Sequence, residues 1–507
     1  AAGLSYLWLF QENRPTQAKY LSSLPIVAGT VILLLLWVLF LSRLRLAIRL
    51  GIFSTVLVLL VAAGLSLEIR GVTGDLLPIV EFRWKPRHTV AAAPGTPANT
   101  NAWQKVPGEF PSFYGPDRNA TLPGPLLATN WSEQPPEILW KQPVGQAWSG
   151  FAVQEGLAIT QEQREESEYV VCYEVVSGRT LWTHANETRY ATTIAGEGPR
   201  ATPTIADGRV YTFGATGLLN CLDLETGRLI WTRDTLMENN GAVPDWALTS
   251  SPLVVDGKVI VSVGGTNGRS LVAYHAASGE FVWGAGNDSA DYSSPVRAAL
   301  LGEEQVIIFN GFGLVAQNLA GKELWKYPWR GGHPHITPPL VVSSNRVLAS
   351  SGYGTGAELM EITRTGEQWQ VASLWKSIAL KSKFGPLFRE GDYVYALDDG
   401  MFTCVDLATG RRQWKDGRFG HGQGLLVGDL ILLTTEKGEL ALIQPDSDRL
   451  IQLASFPLFD DKTWNPPALA GEYLLARNHK EAACLRLKTR AAPLASSGQR
   501  RSPGFRF

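Results

Sequence analysis

Adjacent cysteines, C-x-x-C pairs and haem-attachment motifs are all missing from this chain: its 507 residues hold only Cys172, Cys221, Cys404 and Cys484. That scarcity excludes a dense disulfide scaffold, while one or two bridges stay open because spacing alone does not say which thiols face each other. An excess of one charge is missing too. With 46 Lys and Arg against 47 Asp and Glu the formal charge is -1, so nothing marks a nucleic-acid binder and electrostatics nominates no partner. What abounds is glycine, at 51, and proline, at 30, which imply many turns. At 45% hydrophobic, the chain can form a large core, or a membrane segment plus one big domain.

Charge is also absent locally. Residues 24–41, LPIVAGTVILLLLWVLFL, and residues 50–67 are two uncharged runs of eighteen, each long enough to cross a hydrocarbon core of roughly 30 Å at about 1.5 Å per residue. They predict transmembrane helices within an anchor at 1–70. The link between them, SRLRLAIR, carries Arg43, Arg45 and Arg49, so the positive-inside tendency places it in the cytoplasm and everything after Leu67 outside. The opening decamer AAGLSYLWLF reads as the tail of a further span, which would make three. Residues 71–135, with TVAAAPGTPANTNAW, read as a Pro- and Ala-rich linker, and 489–507 as a flexible tail.

Between them the sequence repeats itself. CLDLETGRLIW at 221–231 returns as CVDLATGRRQW at 404–414, and the Gly-x-x-x-Trp ending occurs at Gly178/Trp182, Gly227/Trp231, Gly279/Trp283, Gly321/Trp325 and Gly410/Trp414. RTGEQWQVASLW, with Trp369 and Trp375, is an irregular copy. From Trp182 to Trp414 the steps are 49, 52, 42, 50 and 39 residues, the length of a four-stranded blade plus loops. Each unit opens with a strand such as ATPTIADGRV or SSPLVVDGKV, and WSGFAVQEGLAIT supplies the first of eight. The eighth, NPPALAGEYLLARNHKEAACLRL, stops before any tryptophan strand, whereas EILWKQPV with Trp140 stands orphaned upstream. Joining the two predicts an all-β fold: an eight-bladed β-propeller of four-stranded antiparallel blades at 136–488, preceded by an α-helical transmembrane hairpin.

The A-x-D-x-x-T-G-x-x-x-W repeat resembles that of the pyrroloquinoline quinone (PQQ) repeat propellers rather than WD40. FPSFYGPDRNATLPG and GEGPRATPTIADGRVYTFGATGLLNCLDLETG resemble the membrane-tethered PQQ-like propellers of bacteria, a group that spans quinoprotein alcohol dehydrogenases and BamB-like proteins. Two functions are thereby implied. The dehydrogenases hold PQQ over calcium in the funnel with a catalytic aspartate and an adjacent cysteine pair, and this sequence has no Cys-Cys. The BamB-like relatives bind no quinone and dock proteins. Unlike BamB, this chain has hydrophobic spans and no lipoprotein cysteine near its start, so a role in outer-membrane assembly is not expected to transfer.

Residues at equal phase in successive blades lie far apart around the ring, so the repeated cysteines, and Glu174, Asp223 and Asp406, do not converge on one substrate. A buried filler and a turn-binding carboxylate are the expectation for each pair, and inter-blade packing for the tryptophans. Local chemistry belongs where the repeat breaks. Just before the first strands stand Trp148, Arg200, Thr249, Tyr292, His335, Lys383, His421 and Trp464, a collar expected at the mouth of a central funnel. Arg200, Lys383 and the histidines would hold a carboxylate or phosphate, walled by Trp148, Tyr292 and Trp464. His333-Pro-His335 offers two metal ligands without a third, so no metal is expected, and the acidic run EQREESE at 162–168 reads as a solvated loop of the first blade, with a docking feature as the alternative. The leading expectation is a scaffold without cofactor that docks a protein on the periplasmic face of a bacterial inner membrane. The alternatives are an oxidoreductase using PQQ with calcium and a receptor for a small anion.

Overall fold

Two-residue turns set the local architecture. Asp207-Gly208 and Asp256-Gly257 have φ values of +50° and +69°, and +49° and +66°, and each reverses the chain between the first and second strands of a unit. Positive φ at both central residues is the hairpin geometry whose twist matches that of the flanking strands. The computed structural model describes residues 2–10, 16–91, 103–331 and 334–490, in which eight sheets form a ring. Blades 1 to 7 span 152–186, 204–234, 253–285, 296–328, 340–377, 388–418 and 423–457. Blade 8 takes three strands from 468–486 and its outermost, Glu137–Pro143, from the beginning of the ring. Cys484 pairs there with Trp140, so the orphan strand closes the ring as the repeat count requires.

What joins one blade to the next is a tryptophan laid on a glycine. A Cβ added at Gly227 of blade 2 would meet the Trp182 ring of blade 1 at 2.4 Å. Gly178, Gly279, Gly321 and Gly410 stand in the same relation to Trp140, Trp231, Trp283 and Trp375, at 2.6, 2.6, 2.6 and 2.5 Å. The indole N–H then donates across the seam: Trp182 to the Leu224 carbonyl at 3.0 Å, Trp231 to that of Ala276 at 3.0 Å, and Trp375 to that of Leu407 at 2.9 Å. Each pair buries a large apolar area and satisfies its one polar atom.

The repeated cysteines are free and buried. Asp223 accepts from the Thr226 backbone N–H at 2.9 Å and hydroxyl at 2.6 Å, and Asp406 does the same with Thr409 at 2.8 and 2.7 Å. The pair is architecture, a filler beside a turn clamp. The acidic run at 162–168 is a correction, since it is strand on both sides of a turn at Glu165 and Glu166. Glu162 is fully buried, where it pairs with Arg164 at 2.9 Å and accepts from the Tyr173 hydroxyl at 2.7 Å. Polar alternation hid a strand because its inward carboxylate has a buried cation of its own.

Upstream of the ring, Gln17–Leu41 and Leu46–Ser66 are two helices long and apolar enough to cross a membrane. The first starts well before its uncharged run, because the polar turn TQAKYLSS continues the helix. Strands Leu67–Val72 and Pro78–Phe82 then form an antiparallel hairpin. Farther on, 110–122 crosses the central channel as a plug. Phe110 bridges Val153 of blade 1, the Tyr114 hydroxyl donates to Gln423 at 2.7 Å, and Thr121–Leu122 pairs in parallel with the first strand of blade 7. The Arg118 guanidinium, buried, donates to the carbonyls of Pro252 at 2.8 Å, Ser251 at 2.9 Å and Pro295 at 3.2 Å. Those carbonyls belong to the Ser-Pro signals that open blades 3 and 4.

Gly227→Ala and Gly257→Ala separate the seam from backbone strain, because φ is nearly equal at the two sites while nothing lies within 4 Å of a Cβ at Gly257. Thermal or denaturant unfolding is expected to show Gly227→Ala less stable than Gly257→Ala by about 1–3 kcal/mol, the cost of overpacking.

Candidate functional site

The loops entering the first strands converge at one end of the channel on a cavity of about 150 Å³. Trp148, Tyr292, Tyr353, Phe384 and Trp464 form its walls, Phe113 of the plug contributes from below, and Thr73, Gly74 and Leu76 of the hairpin that follows the apolar helices contribute from above. The Trp148 and Trp464 rings lie 4.9 Å apart. Trp148 donates to the Ala195 carbonyl at 2.9 Å and Trp464 to the Glu436 carboxylate at 3.1 Å, which fixes both rings. Lys462 sits over them, 4.8 and 4.0 Å from the centroids, and donates to the Val72 carbonyl at 2.9 Å. Burial pushes its pKa down to about 8, so the ammonium at this aromatic wall stays largely charged at neutral pH and loses its proton well below the usual lysine range.

The tip of the hairpin is held by polar groups of the collar. Lys383 donates to the Gly74 carbonyl at 2.7 Å, and the Gly74 N–H donates to Glu436 at 2.6 Å. Asp75 lies 3.1 Å from His421 Nε2 and 3.6 Å from Lys383 Nζ. Lys383 also reaches Gln17, at the start of the first helix, at 3.3 Å. Gly74 is required by close approach, since a Cβ there would stand 2.2 Å from the His421 ring. Burial raises the Asp75 pKa, but the His421 hydrogen bond and the charges of His421 and Lys383 outweigh it, leaving the carboxyl below its ordinary 3.8.

The structure divides the expected collar in three. Trp148, Arg200, Tyr292 and Trp464 line the cavity, as does Thr249. Lys383 and His421 are buried under the hairpin tip instead. His335 turns away into the blade 4 side, stacked 4.3 Å from Phe309 with Nδ1 3.0 Å from Asp291, and its neighbours Pro334 and Ile336 reach the cavity. His333 lies outside the described residues. Arg200 is occupied as well: its guanidinium donates to the carbonyls of Ala195 at 2.7 Å, Gly196 at 3.1 Å and Gly198, with Tyr190 beneath it. The basic funnel read from the sequence is therefore answered largely by the chain's own carbonyls and by Asp75.

Residues that sequence reasoning missed include Phe113, Trp246, Tyr353, Phe384 and Gln423. Phe384 directly follows a collar residue and was within reach of the same alignment. Gln423, two residues after His421 at the start of the first strand of blade 7, was within the same reach, whereas Phe113 sits on the plug and Trp246 and Tyr353 in turns between strands, where the repeat gives no register.

The quinone and calcium implied by one branch of the resemblance do not fit these residues. Among the described residues no carboxylate lines the cavity, and no group of three or more His, Cys, Asp or Glu stands close enough to hold a metal ion. A hard dication needs six to eight oxygen donors, and a cavity of about 150 Å³ is below the roughly 300–1,000 Å³ usual for a small-molecule site.

Comparison with known proteins agrees on the fold. The family profile described as "Outer membrane protein assembly factor BamB" matches residues 166–416 and 373–452, together more than half of the chain. The chain is 26% identical over 306 residues to the outer membrane protein assembly factor BamB of Burkholderia pseudomallei, covering 51% of this chain and 78% of that one. It is 32% identical over 154 residues to the quinohemoprotein alcohol dehydrogenase ADH-IIG of Pseudomonas putida, of which it covers only 21%. Among solved structures, BamB of Moraxella catarrhalis superposes with a TM-score of 0.51 at 16% identity over 71% of this chain and 99% of that one. The quinohemoprotein alcohol dehydrogenase of Comamonas testosteroni gives 0.54 at 12% over 76% and 81%.

Asp75→Asn tests the hairpin contact. Hydrogen exchange at amides 71–77 is expected to quicken by about 10- to 100-fold at neutral pH, the scale of a hydrogen bond to a charged group. In the wild type the Asp75 contribution is present above the ordinary carboxyl value of 3.8 and is lost as pH falls through the lowered value in the folded state. The variant has no such acid limb.

Proposed function

Because the chain belongs to the PQQ-like propeller family of the outer membrane protein assembly factor BamB, we infer that it is a scaffold that holds a protein partner beside a membrane rather than an enzyme. One observation carries the reading. The end of the channel where a small substrate would enter is taken by the chain's own hairpin, with Gly74 and Asp75 bound to Lys383, His421 and Glu436, and the plug crosses below it with Arg118 bound to three carbonyls. A catalyst for soluble substrates needs an open, pre-formed pocket with convergent polar groups. Here the polar groups are satisfied internally.

The same contact supports an orientation. Leu67 follows the second apolar helix directly, and six residues later the strand enters the funnel, so the mouth of the propeller faces the bilayer and its rim and far face are left for a partner. With Arg43, Arg45 and Arg49 in the cytoplasm, that far face lies in the periplasm of a bacterial inner membrane. The bilayer is the first partner, through the two helices, and a protein is the second.

Affinity purification from gently solubilised membranes is expected to recover a second protein in near-stoichiometric amount, and recovery of this chain alone would overturn the reading. Adding PQQ with calcium is expected to give no cofactor absorbance band and no dye-linked alcohol oxidation. A band that disappears in Arg200→Ala and Lys383→Ala would return the chain to the dehydrogenases.

A further inference from the structure

On the other side of the plug lies a cavity of about 410 Å³, lined by Pro111, Asp117 and Arg118 and by first-strand residues of blades 2 to 5, among them Val254 and Ala299. First strands turn one backbone edge to the channel, where every second residue presents its N–H and C=O. The chain fills several of those edges with itself. Val153 of blade 1 exchanges two hydrogen bonds with Phe110, at 2.8 and 2.9 Å, and Ile205 of blade 2 donates to the Pro111 carbonyl at 2.7 Å. In blade 7, Leu426 donates to Ala120 at 2.8 Å and Gly428 to Leu122 at 2.9 Å.

By register the matching positions in the next blades are Val254, opposite Val259, and Ala299, opposite Glu304. Among the described residues no backbone hydrogen bond from the plug reaches either. The two longest first strands are Val296–Leu300 of blade 4 and Gln423–Val427 of blade 7, five residues each. Blade 7 carries an added strand and blade 4 does not. Along Val296–Leu300 burial alternates, leaving Arg297 and Ala299 exposed, and Arg297 is neutralised by Glu304 at 2.6 Å.

We propose that Val296–Leu300 accepts an extended segment of a partner protein as an added β-strand, as blade 7 accepts Thr121–Leu122. The segment is uncharged, with small or β-branched side chains, because the wall it meets is Val254, Ala298 and Ala299. Main-chain hydrogen bonds supply the affinity and the small wall residues the selectivity. The proposal rests on the scaffold reading and names where on the scaffold the partner sits.

The probe is a labelled peptide, acetyl-Thr-Val-Thr-Val-Thr-amide, titrated by fluorescence anisotropy against the full chain in detergent, beside a copy N-methylated at alternate backbone nitrogens. Proline at 299 removes an N–H that points to the channel and leaves the blade's own ladder intact, since Ala298 and Leu300 carry it. N-methylation and Ala299→Pro are each expected to weaken binding at least tenfold. Equal binding of the methylated copy by the wild type, which does not depend on the folding of any variant, overturns the proposal, as does no binding up to roughly 1 mM. If wild type and Ala299→Pro recover the same partner equally from membranes, this inference falls while the scaffold stands. If the wild type recovers none, the scaffold falls and the titration still decides the strand edge.

Discussion

The ring depends on an indole resting on a glycine. Neighbouring blades share no strand, so what fixes their spacing is the packing between them, and at five seams that packing is a tryptophan over the turn glycine of the next blade. The glycine does two things there: it adopts φ near +70°, and it lets the ring approach closer than any Cβ allows. Trp325 shows what happens without it. In blade 5 the last two strands lengthen to ten residues each, Gly366 ends in open space, and Trp325 donates instead to the side chain of Gln305 in its own blade. The irregular copy in the sequence is thus a seam built another way.

Given that ring, the channel is a hole of fixed width that must be filled or hydrated. Here two segments that precede the propeller fill it from opposite ends. The plug satisfies strand edges and buries an arginine against first-strand carbonyls, while the hairpin tip lays its backbone against a lysine, a histidine and a glutamate. A buried cation without partners would be costly, so the collar and the tip stabilise each other. The apolar helices and the channel are therefore joined by direct contacts, through Gln17 and the hairpin tip, rather than only by a tether.

The fold was legible because it repeats. Period, turn chemistry and the orphan Trp140 strand each constrain the ring independently, and all agree. The collar was legible as position but not as chemistry: Trp148, Arg200, Tyr292 and Trp464 reach the cavity, whereas Lys383 and His421 are claimed by Asp75, more than 300 residues away in sequence. Nothing in TGDLLP announces that partner, because a long-range contact of a short turn leaves no periodic trace. Glu162 illustrates the same limit, since an acidic run reads as solvated until its buried arginine is seen.

The clasp of Glu137–Pro143 onto Glu481–Arg486 also sets an order of events. The chain's first propeller strand has no sheet to join until its last one has emerged, so blades 1 to 7 assemble as an open arc whose ends are exposed edges. The plug lies upstream of every blade, so it is available from the start to the strands of blades 1, 2 and 7 that it bonds in the finished ring. Sealing is then an intramolecular encounter across a pre-formed gap rather than a search by a free end. A long-range pairing that would otherwise be slow and prone to aggregation is brought within reach by the same upstream segments that occupy the finished channel.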